Sequence, residues 1–375
     1  MSELNADVKF VRFFFKLGRV VGIIPLYTNK SSIKKKLISI LYLSVLTLIL
    51  CSVFILSVWD RQVIYKTMKL TNEVVDFLVI LTNFVFILTI RIGNILHCRY
   101  FSDITETCEQ IDCCLKNAGY RVCKRHIIIL YLEFAGFHSL YFGIHLYEFY
   151  YRLMNHQDSF LIWMMYLPSF MKLYHQLYVI NLVTKMNYIV NARYKFLKQC
   201  LENIIRRDKL NVGSLELDKK TLNLDQIYYV FKLLFQLVSY INILFGWQIF
   251  FVLCCTVLEI LNIINFIKQD QMWSVLAVDL AYGAIYIIST IAIVKSCDDV
   301  QTSAEQILMC CYTSQETLKG TQLENEILRF AKLSRPLLPQ YSAGGFIIVN
   351  QKVLSSLFSA TLTYLIVIIQ FDLTT

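Results

Sequence analysis

Long, nearly uninterrupted apolar segments alternate with shorter polar segments along the whole chain. Seven of the apolar segments can cross a hydrocarbon layer of roughly 30 Å, because an α-helix rises about 1.5 Å per residue. They are Leu37–Trp59, Val74–Leu96, Ile127–Tyr150, Phe160–Val183, Ser239–Phe266, Trp273–Val294 and Val353–Phe371. The pattern therefore predicts an all-α integral membrane protein with seven transmembrane helices.

Composition agrees with this class. Apolar residues make up 57% of the 375 residues, charged residues only 17%, and the chain carries 26 Phe and 23 Tyr. A soluble core of this size cannot bury that much apolar and aromatic surface, so a water-soluble globular protein is excluded.

The distribution of Lys and Arg predicts the orientation of the spans. Most of the 36 basic residues lie on the side of the membrane that holds the amino terminus, and Lys34, Lys35 and Lys36 directly precede the first span. Basic residues next to a span are retained in the cytoplasm. We therefore expect a cytoplasmic amino terminus and, after seven spans, an extracellular carboxyl terminus.

This topology divides the chain into four regions. The two long inner segments keep helical periodicity beyond the bilayer, as shown by Leu323, Ile327 and Phe330 at spacings i, i+4 and i+7, so long inner helices are expected to project into the cytoplasm and pack together. The predicted regions are a cytoplasmic amino-terminal segment (1–36), a six-helix bundle with a ligand pocket (37–294, whose part 184–238 includes a long cytoplasmic helix extension), an anchor segment (295–345), and a last helix with a short tail (346–375).

Ionisable and aromatic residues recur in the outer halves of several spans. Ionisable groups inside a membrane are costly and usually face the interior of the bundle, and aromatic walls with a few polar groups suit a small organic ligand. We take eight residues of these stripes as ligand-binding candidates. They are Trp163, Tyr166, Phe170, His145, Glu148, Glu259, Asp279 and Tyr282. The alternative is that they only pack and form hydrogen bonds between helices.

Metal and hydrolytic chemistry is disfavoured by spacing. His138 and His145 lie about 10 Å apart along a helix axis, so they cannot share one metal ion, and only His145 with Glu148 has chelating spacing. The cysteines of 108–123 lack paired C-x-x-C spacing, which favours reduced structural thiols over a zinc site. We therefore predict no enzyme activity, no metal and no cofactor.

The last span carries a narrow polar face near the end of the chain. On a helical wheel, five residues fall within about 80° of one another, whereas Tyr364 and Phe371 point elsewhere. The five are Ser355, Ser359, Thr363, Ile366 and Gln370. Such a stripe either packs inside one subunit or, in several copies around a symmetry axis, lines an aqueous pore in which Ile366 and Val367 form an apolar constriction.

Two short motifs resemble those of the insect gustatory receptor family. The string Thr363-Tyr364, five apolar residues and Gln370-Phe371 is similar to the signature that ends those receptors, and Gly22-Ile23-Ile24-Pro25-Leu26 is similar to a weaker motif near their amino termini. The resemblance implies a tetramer whose last helices line a central pore and whose inner helices form a cytoplasmic anchor. It also implies that Gln370 and Phe371 lie at the extracellular gate. The polar face of the last span adds Thr363 and Ser359 to the predicted ion path.

The predicted function is that of a gustatory chemoreceptor, a ligand-gated non-selective cation channel in the plasma membrane of chemosensory neurons. Its partners would be a small organic tastant, other gustatory receptor subunits or further copies of itself, and the lipid bilayer, with no role for nucleic acid. Acidic groups among aromatics favour bitter compounds over sugars. The alternatives are a metabotropic seven-span receptor, which a cytoplasmic amino terminus disfavours, and a membrane enzyme or transporter.

Overall fold

The computed structural model describes residues 6–25, 32–65, 70–122, 124–155, 159–209, 222–267 and 273–374. Over these residues the protein forms ten α-helices and one short antiparallel hairpin. The helices are α1 (Ala6–Val20), α2 (Ile33–Tyr65), α3 (Leu70–Leu96), α4 (Arg99–Asn117), α5 (Lys124–Asn155), α6 (Ser159–Lys209), α7 (Leu224–Ile267), α8 (Trp273–Thr313), α9 (Gln322–Ser334) and α10 (Gln351–Thr374). The strands are β1 (Ser342–Ala343) and β2 (Ile347–Ile348).

Each predicted span lies within a single helix, in the order α2, α3, α5, α6, α7, α8 and α10. Within the described residues, four stretches are long and apolar enough to cross a membrane: Ile33–Ser52, Glu73–Leu96, Leu224–Ile264 and Leu280–Thr313. On α2, large apolar side chains such as Leu41, Leu48 and Ile55 are exposed. An apolar surface of this kind is stable only where lipid or protein covers it.

Three helices extend far beyond the thickness of a bilayer. α6, α7 and α8 contain 51, 44 and 41 residues, so each is more than about 60 Å long. Their extensions pack together and form the largest buried core, which includes Leu197, Val230, Leu234, Val300 and Ile307. The periodicity predicted for the inner segments thus corresponds to a second helical layer that continues the spans.

The same periodicity explains how α9 docks on this layer. Ile327 and Phe330 are buried, and Leu323 packs against the core. Thr321 caps the helix by accepting a hydrogen bond from the backbone N–H of Glu324, as is typical of a helix start. The helix ends at Ser334, just before Pro336.

Helix α1 was not predicted from the sequence, and one of its faces is buried in the main core. Phe10 and Phe14 are fully buried, and the Tyr178 hydroxyl of α6 donates to the Phe14 carbonyl oxygen over 2.7 Å. A Cβ at Gly18 would come within 2.2 Å of the Tyr178 hydroxyl oxygen, so only glycine allows this approach. The helix thus packs tightly because most of its bulky apolar residues share one face.

A buried ion cluster joins α1, α4 and α6. The Nη1 and Nη2 atoms of Arg193 lie 2.9 Å from Asp7 Oδ2 and 2.7 Å from Asp112 Oδ1, and the guanidinium is fully buried. Burial opposes the charged form of Arg193, but the two carboxylates outweigh it and raise the pKa of the guanidinium above its ordinary value. Arg193 therefore stays charged at any physiological pH, and its two contacts join the three helices.

The buried thiol of Cys108 on α4 is unreactive. Burial raises the pKa of the Cys108 thiol to about 12, so the thiol stays protonated. Within the described parts of the chain, no three His, Cys, Asp or Glu side chains form a group that could hold a metal ion.

Candidate ion path and ligand-binding cluster

Among its described side chains, the last helix, α10, packs on the rest of the subunit through one face. Leu354, Leu357 and Thr361 lie against α7 and α8, where together with residues such as Thr256 and Thr290 they line a small cavity of about 30 Å³. Thr256 Oγ1 and Thr290 Oγ1 are 2.6 Å apart and share a hydrogen bond, which satisfies both hydroxyls. This face of α10 is thus the one that attaches the helix to the rest of the subunit.

The polar face of α10 points the opposite way. Ser355, Ser359 and Thr363 are exposed, and at 100° per residue the centre of their face lies about 180° from the face that packs on α7 and α8. The Thr363 hydroxyl donates to the Ser359 carbonyl oxygen over 2.9 Å, so it is satisfied within the helix. Within one subunit, this stripe is not buried against α7 or α8.

The predicted gate residues continue that face toward the end of the helix. Ile366 is 55% exposed and Val367 39% exposed, and Gln370 is also exposed. The side chain of Phe371 lies outside the described residues. The exposed face therefore combines hydroxyl groups along its length with apolar side chains and an amide near its outer end.

A second cluster lies where α5, α6 and α8 meet. The Tyr282 hydroxyl of α8 and Nδ1 of His145 on α5 are 3.0 Å apart and form a hydrogen bond, and His145 is buried. The Tyr141 ring lies 4.5 Å from the His145 ring and 5.8 Å from the ring of Tyr174 on α6. Two sequence-predicted ligand candidates, His145 and Tyr282, are thus brought into direct contact.

Apolar residues complete this cluster. Leu173, Leu177, Ile285 and Tyr286 are buried beside Tyr141. Aromatic rings, an imidazole and phenolic hydroxyls on an apolar background can contact an apolar ligand and donate to its polar groups. The sequence patterns identified Tyr282 and His145, but not Leu173, Leu177 or Ile285, because apolar residues are common on every span.

The remaining candidates are distributed as follows. Glu259 on α7 is buried and lies within electrostatic range of Tyr286, which places an acidic group near the cluster. The side chains of five other candidates lie outside the described residues: Trp163, Tyr166, Phe170, Glu148 and Asp279.

Comparison with known proteins identifies the family. A profile described as "7tm Chemosensory receptor" matches residues 11–375, almost the entire chain. A search of curated proteins found no match. Among solved structures, the insect olfactory receptor OR5 from Machilis hrabei is similar, with a TM-score of 0.60 over 97% of this chain and 98% of that chain at 11% sequence identity. At that identity the likeness shows a shared fold. The protein is therefore a multi-pass membrane protein that belongs to the 7tm chemosensory receptor family.

Proposed function

We propose that the protein is a gustatory receptor that acts as a ligand-gated, non-selective cation channel. The observation that carries this proposal is the orientation of α10, whose polar face lies opposite the face that packs on α7 and α8. Several copies of the chain around an axis would turn these faces toward one another and enclose a hydrated path. The terminal motif from Thr363 to Phe371 favours a gustatory receptor over an olfactory one.

The assembly we propose is a tetramer of this chain or of this chain with related subunits. In this tetramer, Gln370 forms a ring of neutral amides, whose oxygens contact permeating cations without strong selection among them. Ile366 and Val367 form an apolar constriction that closes by excluding water. The amino terminus lies in the cytoplasm and the carboxyl terminus outside the cell.

The ligand we propose is a small organic tastant held by the cluster of His145, Tyr141 and Tyr282. Acidic residues such as Glu259 near aromatic rings favour a cationic, bitter compound over a sugar, because charge pairing and cation–π contact both stabilise a bound cation. Expression in cells that lack functional G proteins tests this function. An inward current at the first application of a bitter alkaloid supports a channel, whereas a response that requires G proteins would contradict it.

Orientation is tested with epitope tags. A tag before Met1 should bind antibody only after the cells are permeabilised, and a tag after Thr375 should bind antibody on intact cells, because the basic residues hold the amino terminus inside. Labelling of the amino-terminal tag on intact cells would overturn the proposed topology.

Replacing Tyr282 with Phe should raise the half-maximal agonist concentration. The variant keeps the ring but loses the hydroxyl that bonds to His145, and one hydrogen bond contributes about 0.5–1.5 kcal/mol, which corresponds to a shift of roughly twofold to tenfold. Concentration–response curves measure the shift. Tyr312 on the same helix is exposed, so Tyr312→Phe is the control and should leave the curve unchanged. An unchanged curve in both variants would favour a purely packing role for Tyr282.

A further inference from the structure

The antiparallel hairpin directly precedes the proposed pore helix. Its strands pair Ser342 with Ile348 and Ala343 with Ile347, and the Val349 N–H donates to the Tyr341 carbonyl oxygen over 2.9 Å. The turn is made by Gly344 and Gly345, whose φ angles of +61° and +83° lie in the left-handed region that favours glycine. Only Asn350 separates β2 and Val349 from the start of α10. Any displacement of the hairpin is therefore passed to the base of α10.

Helix α7 holds one strand of the hairpin by backbone and side-chain contacts. The Ser342 N–H donates to Asn242 Oδ1 over 3.0 Å, and the Gly344 N–H donates to the Gly246 carbonyl oxygen over 2.9 Å. A Cβ at Gly246 would lie 2.8 Å from the Ser342 carbonyl oxygen, so a larger residue would push the hairpin away from α7. The contact is a close backbone approach that depends on glycine.

Helices α6 and α8 also hold the hairpin. The Tyr341 hydroxyl donates to Asn187 Oδ1 on α6 over 2.6 Å, and Asn187 Nδ2 in turn donates to Ser296 Oγ on α8 over 3.1 Å. Gln301 Nε2 on α8 donates to the Val349 carbonyl oxygen over 2.9 Å. Tyr341 and Asn187 are fully buried. Buried polar bonds of this kind are costly to break, so they favour one defined arrangement.

Two of these helices also carry the ligand cluster. Tyr174 and Asn187 both lie on α6, and Tyr282 and Gln301 both lie on α8, with no break in either helix. Along the helix axis, Tyr174 lies about 20 Å from Asn187, and Tyr282 lies about 29 Å from Gln301. A rigid helix that moves at the ligand cluster must therefore also move at the hairpin.

We propose that Asn187, Asn242 and Gln301 form a clamp on hairpin 341–349 that couples agonist binding to the movement of α10. The three are positioning residues, since they act on the pore through the hairpin and not by contact with agonist or ions. Agonist shifts α6 and α8, the clamp carries that shift to the hairpin, and the hairpin tilts or rotates α10. This role rests on the proposed channel function.

The test uses two substitutions that each break one clamp bond in the full-length protein. Asn242→Leu removes the oxygen that accepts from Ser342, and Gln301→Glu replaces the donor to the Val349 carbonyl oxygen with a carboxylate. Both positions are only half-buried, so both variants should reach the cell surface. We expect the ratio of agonist-evoked current to basal current, per channel at the surface, to fall at least threefold in each.

Two control variants separate coupling from a general effect on folding. Asn242→Asp keeps an oxygen acceptor and should restore the parental current ratio. Gln306→Glu makes the same chemical change on an exposed residue of α8 and should have no effect on the ratio. The relative permeability of sodium and potassium should stay parental in every variant, because the pore face is intact.

Three outcomes would overturn the proposal. Parental current ratios in Asn242→Leu and Gln301→Glu at normal surface expression would show that the clamp does not couple the two sites. An equal loss in Asn242→Asp and Asn242→Leu would show that the hydrogen bond to Ser342 is not what matters. Absence of any agonist-evoked current in the parent, expressed at the surface, would instead contradict the channel function, and the coupling role would fall with it.

Discussion

Replacing Arg193 with Met should lower the thermal unfolding midpoint of the detergent-solubilised protein and strongly reduce the amount at the cell surface. Arg193 forms ion pairs with both Asp7 and Asp112, and its own side chain is fully buried. Removing one partner of a buried ion pair leaves uncompensated charge and costs about 3–5 kcal/mol. Fluorescence-detected size-exclusion chromatography after heating measures the midpoint.

Two further variants sharpen this expectation. Lys198 on the same helix forms a partly exposed pair with Glu202 at 3.8 Å, so Lys198→Met should cost no more than about 1 kcal/mol. Adding Asp7→Asn and Asp112→Asn to Arg193→Met removes all three charges and should recover part of the lost stability. An Arg193→Met variant as stable as Lys198→Met would show that the ion cluster does not hold α1 and α4 on α6.

Replacing Gln370 with Glu or with Lys should change ion permeation in opposite directions. In a symmetric tetramer, Gln370→Glu places four carboxylates in one ring, and binding of cations relieves their mutual repulsion. The permeability of divalent relative to monovalent cations should therefore rise. Gln370→Lys places four positive charges in the ring and should depress cation current at least tenfold, which corresponds to about 1.4 kcal/mol of added barrier.

Reversal potentials and single-channel conductance measure both effects. Lys352 lies at the other end of α10 and is exposed, so Lys352→Gln controls for a change of charge that is remote from the proposed gate and should leave relative permeability unchanged. Parental conductance and selectivity in both Gln370 variants would show that this side chain faces protein or lipid and not the ion path.

Much of the fold follows from hydrophobic periodicity. The apolar segments are long enough that each of the seven lies within one observed helix, and the spacing of Leu323, Ile327 and Phe330 predicts the buried face of α9. The polar face of α10 also followed from helical spacing, since Ser355, Ser359 and Thr363 recur every four residues.

Features that depend on contacts between residues distant in sequence could not be predicted from the sequence. Asp7, Asp112 and Arg193 meet only because three helices cross, and nothing in their local sequences marks them as partners. The hairpin has two residues in each strand, too few for an alternating pattern to show. Its attachment to Asn187 and Gln301 spans 154 and 48 positions along the chain. Tertiary contact, and not local propensity, decides these parts of the structure.

The account's central claim, that the polar face of α10 lines the ion path, is tested most directly by cysteine modification. Thr363→Cys and Leu357→Cys place a thiol on two different faces of α10, one exposed and one packed against α7 and α8. A hydrophilic methanethiosulfonate reagent, applied outside during agonist, should block at least half of the current of Thr363→Cys, because a modified residue narrows a hydrated pore. Leu357→Cys and the parent, which retains its 12 native cysteines, should be unaffected. Block of Leu357→Cys with an unaffected Thr363→Cys would contradict the assignment of this face to the pore.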